Sequence, residues 1–215
     1  MVSAAKAFDK EPPREPLTNL KAIKEDFQWR YVDRKKTDQV IKFCGESTTL
    51  DQAVERAVRA RDAAGKHHNH QSKVDLQARI EFGAIIVRGK KQWLEFIHAA
   101  KEDGLEWLTP FDAMHDWFDQ AKPYGIGPVT VYDVAVRVGA FLEIEPEQVY
   151  MHAGVRQGMK ALEQALGNHP AGKRLAGAHK LQRVPKYLLP KPLRSMKADD
   201  VEDILCTYRE VFLSW

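Results

Sequence analysis

Residues 122–139 read KPYGIGPVTVYDVAVRVG, with Gly125 and Gly127 one residue apart at the mouth of an apolar run of helical period. Glycine admits positive φ and leaves the main chain bare. Pro128 suits the first helical position, where no amide hydrogen is needed. A helix opened this way leaves the amides of Gly127, Val129 and Thr130 directed outward, and such amides hold anions. Phosphate binding is the chemistry this spacing offers. Ile126, apolar between two glycines, would pin the turn to its helices. The plain alternative is an αα-corner that needs glycine only for packing.

A second dense patch is Lys66-His67-His68-Asn69-His70-Gln71. His67 and His70 are three apart and could share a helix face. No cysteine or acid stands beside them to complete a tetrahedral set, so neither a metal nor a cofactor is expected. Contacts from these imidazoles and amides to phosphates or a base edge are the better use, and a solvated polar loop is the plain one.

Charge adds a third signal. Residues 151–198 hold ten Lys or Arg against the single acid Glu163, whereas residues 91–150 hold four bases against eleven acids. The basic part invites a polyanion. Arg156, Lys160, Lys173, Arg174, Lys180 and Arg183 are the residues expected to extend a phosphate contact. A basic loop spans 168–197, punctuated by proline and glycine.

The glycine stretch resembles a helix-hairpin-helix motif, two glycines flanking an apolar residue between short antiparallel helices, over residues 111–142. That resemblance implies a hairpin whose amides grip the DNA backbone without reading sequence. Length and layout are similar to the helix-hairpin-helix DNA glycosylases of the endonuclease III-like kind. Those enzymes carry a Val-Asp-Thr-His segment some twenty residues beyond the glycines, and VYMHAGVR stands at a similar distance here. Val149 and His152 match it. Tyr150 stands at the position of the family's aspartate, Val129 at that of the Schiff-base lysine of bifunctional members, and Val131 at the hairpin alanine. The resemblance therefore implies a monofunctional DNA N-glycosylase at most, removing a modified base in repair or in defence against modified DNA. Asp133, Glu145 and Glu147 are the carboxylates left to stabilise charge at the sugar and orient water. Each also has an ordinary use, Glu145 and Glu147 against a helix dipole and Asp133 as a solvated side chain. Two other readings stay open: a non-catalytic DNA-binding module or accessory subunit, and a helical protein-interaction domain whose basic loop docks an acidic partner.

The elements that must position these residues are helices. Residues 1–18, with three prolines in a charged setting, read as a flexible or wrapping arm. Residues 19–43 fit one or two helices. Thr49 caps a helix that Gly65 would close, and 73–87 read as a buried helix, with a strand as the lesser alternative, followed by a turn at RGKK. Gly104 ends a helix striped with Trp93, Leu94, Phe96 and Ile97. Thr109 and Pro110 open the next. Glu145-Pro146 would start a helix running to Gly167, and 197–215 form the last. Trp93, Trp107 and Trp117 fall on core stripes, while Trp29, Tyr31 and Tyr124 are the aromatics among which a base-stacking ring would be found.

The chain is 215 residues with 44% apolar and 29% charged residues, which is enough for one domain over 19–215 or two small lobes. The expected class is an all-α helical bundle. Two cysteines in apolar contexts suit a reducing, cytoplasmic address, and no stretch approaches the roughly 20 apolar residues of a membrane span. No P-loop, GxSxG, HExxH or dinucleotide fingerprint occurs. Duplex DNA is the expected partner and a monomer the expected state.

Overall fold

The computed structural model describes residues 19–32, 39–66, 74–103 and 108–215. The expected arm at 1–18, His67, His68, Asn69, His70 and Gln71, Gly104, Trp107 and the Tyr31 side chain lie outside the described residues.

Among the described residues the protein is all-α apart from one small sheet. Its contacts divide it into two compact units, Met1–Thr37 with Gln148–Trp215, and Asp38–Glu147. Each has its own core.

The continuous unit contains α1 to α6 of the numbering used here: α1 (Gln39–Gly45), α2 (Leu50–Arg59), α3 (Leu76–Arg88), α4 (Lys90–Asp103), α5 (Pro110–Ala121) and α6 (Pro128–Leu142). Local signals start several of them. The Thr49 side chain accepts the Gln52 amide, and Thr109 exchanges hydrogen bonds with Asp112 in a full capping box ahead of Pro110. The core sits where aromatic edges meet: Trp93 and Phe82 both pack edge-on against Phe118, at 5.4 Å and 6.2 Å between centroids. Val54, Val58, Val131, Val134 and Val138 close it around α2 and α6.

Two expectations fail in this unit. α2 stops at Arg59, six residues before the glycine expected to end its turn, because Ala60 adopts φ 52 and two buried arginines take the terminal carbonyls. Arg137 donates to Ala57 O, and Arg79 to Val58 O and Arg59 O. The positive groups answer the negative end of the helix. Gly65 (φ 80) instead closes a tight turn on Asp62. The turn expected at RGKK shrinks to Gly89, and Lys90 already begins α4.

The other unit joins the chain's two ends: α7 (Leu20–Phe27) with a π-helical turn after it, β1 (Gln148–Tyr150), α8 (Ala153–Leu166), α9 (Pro170–Leu175), β2 (Arg183–Pro185), α10 (Lys191–Arg194), α11 (Ala198–Thr207) and α12 (Arg209–Leu213). Leu20, Ile23 and Phe27 enter a core with Val155, Met159, Leu162, Val201, Ile204, Leu205 and Phe212. Tyr208 Oη donates to the buried Asp26 at 2.6 Å, tying residues 182 positions apart.

Here the first part of the helix expected from Glu145-Pro146 is replaced by a strand. β1 pairs antiparallel with β2, Val149 opposite Val184, and Met151 N extends the ladder to Gln182 O at 2.9 Å. The helix starts only at Ala153, and Gly167 (φ 44) ends it as expected. The basic loop at 168–197 is ordered: it supplies α9, β2, α10 and two short 3-10 turns, with Leu175, Val184, Leu189 and Leu193 buried.

Candidate functional site

The bend between α5 and α6 builds up from its residues. Lys122 leaves the helix in an extended conformation and pairs with Asp119. Ile126 N donates to Pro123 O at 3.3 Å, a tight turn that Gly125 permits at φ 88. Tyr124 at its tip is fully exposed, whereas Ile126 is 5% exposed and anchors the turn. Gly127 is the N-cap of α6 (φ −86, ψ 167), with no side chain capping the helix. The first intrahelical bond is Val131 N to Gly127 O at 3.1 Å, so the amides of Val129 and Thr130 precede the ladder. A Cβ at Gly125 or Gly127 would meet nothing within 4 Å. The two glycines thus stand over open space, not packed backbone. The Thr130 side chain is buried, so only its main chain takes part.

Asp133 lies a turn further along α6, 3.6 Å from the guanidinium of Arg137, the same arginine that holds the end of α2. Its carboxylate is engaged in an i,i+4 pair. Glu145 and Glu147 are exposed in the connection after α6. These residues belong to Asp38–Glu147, while Tyr150, His152 and the expected basic contacts belong to the unit made of the chain's ends.

In that unit Tyr150 is buried in β1, opposite Arg183. His152 is the N-cap of α8 and its ring meets the Glu202 carboxylate. Arg156 is half-buried and donates to His179 O at 2.8 Å, and His179 in turn binds Glu163 through its ring at 2.7 Å and its amide at 2.9 Å. Arg156 and Glu163 therefore hold the basic segment at His179. Lys160, Lys173, Arg174 and Lys180 are exposed, and Arg183 is half-buried. Lys66, the one member of the polar cluster with a described position, closes the Asp62 turn through its backbone.

Sequence reasoning missed three residues. Tyr187, 67% exposed among Arg183, Lys186 and Lys191, is an aromatic in the basic segment. Glu202 and Cys206 converge on His152, and the three form a group able to hold an ion. Their four-residue spacing on a helix was the available signal.

No family model, no curated protein and no solved structure matches the chain. No helix among the described residues is long and apolar enough to cross a membrane.

Proposed function

We propose that the chain is a helix-hairpin-helix protein that grips duplex DNA by its phosphates at the bend of residues 125–130. One observation carries this reading: the bend is bare at Gly125 and Gly127, the first exposed and the second half-buried, while the apolar side chain between them is buried. A turn needing glycine only for close packing would press those positions against a neighbour, as Gly158 is pressed against Leu205 O elsewhere in the chain. A phosphate oxygen can approach main-chain nitrogens at such a bend, at the positive end of a 15-residue helix. Lys160, Lys173, Arg174 and Lys180, exposed in the other unit, offer phosphates a basic surface of their own.

Within this reading the activity is removal of an altered base by hydrolysis of its N-glycosidic bond, leaving an abasic site. Glu145 and Glu147, both exposed, are the carboxylates this reading assigns to orienting water. A second reading, a non-catalytic DNA-binding module, is favoured by the engagement of Asp133 with Arg137.

Duplexes carrying a panel of modified bases, scored for binding over a salt series and for alkali-sensitive strand breaks, separate the two. Salt-weakened binding with breaks at one modified base supports the enzyme. The same binding without breaks leaves the module, and no salt-dependent binding overturns both.

A further inference from the structure

His152 is fifty residues from Glu202 in sequence, yet the ligand atoms of His152, Glu202 and Cys206 all lie within 4.8 Å of one another. The fold of one unit brings this about. β1 ends at Tyr150 and hands on His152 as the extended N-cap of α8 (φ −82, ψ 178). α11 packs along α8, and Glu202 and Cys206, four apart on it, share one face. Glu202 Oε1 stands at the centre, meeting His152 Nε2 and accepting from Cys206 Sγ at 3.7 Å.

The first turn of α8 is shaped around this cluster. Residue 154 is glycine, and a Cβ there would stand 3.0 Å from Cys206 Sγ and 3.9 Å from His152 Cε1. Any other residue would press on the sulfur and approach the ring. The His152 and Glu202 side chains are 9% and 12% exposed, while Cys206 reaches solvent. The cluster is thus closed on the imidazole and carboxylate side and open on the sulfur side.

One nitrogen, one oxygen and one sulfur donor make a mixed set. Magnesium and calcium take oxygen ligands, whereas zinc accepts all three donor types. We propose that His152, Glu202 and Cys206 bind a zinc-type divalent cation, with water completing a tetrahedral set on the open side. Zinc takes the Cys206 sulfur as a thiolate, so binding releases the thiol proton. No DNA contact enters this inference, and it stands apart from the function proposed above.

The test uses the full chain, dialysed against chelator and titrated with cobalt as a spectroscopic stand-in for zinc. Expected are one equivalent bound, the intense visible bands of four-coordinate cobalt, and a near-ultraviolet sulfur-to-cobalt charge-transfer band that zinc abolishes. Cys206→Ser loses the charge-transfer band and weakens zinc, measured by competition with a chelating dye, by more than the roughly tenfold to hundredfold cost of losing an outer-shell partner. Cys44→Ser keeps both, since Cys44 is buried in the other unit. His152→Ala loses the four-coordinate bands. Cys206 is exposed, so its serine variant folds and decides the matter even if His152→Ala unfolds. A native chain without the charge-transfer band, or a band that survives Cys206→Ser, overturns the site.

Discussion

Cys206 shows how neighbours set the chemistry of one side chain. Desolvation at the foot of α8, and then the carboxylates of Glu202 and Asp203, push its thiol well above the ordinary cysteine range. The thiolate is the nucleophile, so exposure alone does not make this cysteine reactive. In chelator-treated protein, Cys206 should alkylate with iodoacetamide at pH 8 several-fold more slowly than glutathione. Glu202→Gln removes one of the opposing charges and should speed the reaction. Mass spectrometry of the Cys206 peptide over time measures both rates, and an unchanged rate in Glu202→Gln would contradict the electrostatic cause. Arg79 shows the same logic with the sign reversed. Burial and the nearby Arg137 pull it below its ordinary value, because two guanidiniums share the carbonyl end of α2.

Between elements, approach distance governs what the sequence must be. α8 and α11 come so close that a Cβ on Gly158 would lie 1.9 Å from Leu205 O, where backbone has no flexible end to yield. Gly158→Ala should therefore cost at least about 3 kcal/mol of unfolding free energy despite its better helix propensity, in the overpacking range or beyond it. Urea unfolding checks this, and a stabilised variant would contradict the packing described. Helix starts were legible in the sequence because their signals are local: Thr49, the Thr109 and Pro110 pair, and Gly127 with Pro128 all stand where they were expected. The end of α2 and the strand β1 that displaced the expected start of α8 were not, because their causes lie far along the chain. α2 stops under Arg79 and Arg137, which are 20 and 80 positions from the carbonyls they hold. β1 is three residues long, too short to show alternation, and depends on Val184 across the sheet. The bend could be found because its chemistry lies in one short stretch. The His152, Glu202 and Cys206 group could not, because two elements assemble it.

At the scale of the whole molecule the chain interleaves two units of opposite charge. The unit made of its ends carries twenty Lys or Arg against twelve acids, and the continuous unit thirteen against eighteen. The bend at 125–130 thus belongs to the acidic unit, and the phosphate affinity proposed for it would have to come from main-chain amides and the helix end. That division makes Gly127→Asp the most direct test of the central claim. Gly127 has ordinary extended geometry and no Cβ neighbour, so an aspartate fits without strain and caps α6 better than glycine does. Its carboxylate would occupy the place proposed for a phosphate. Duplex DNA binding by native and Gly127→Asp proteins, at one salt concentration and with thermal melts run in parallel, should show an unchanged or raised melting temperature and affinity reduced by about tenfold or more, roughly 1.4 kcal/mol. Equal affinity in a variant of equal or greater stability would contradict the account.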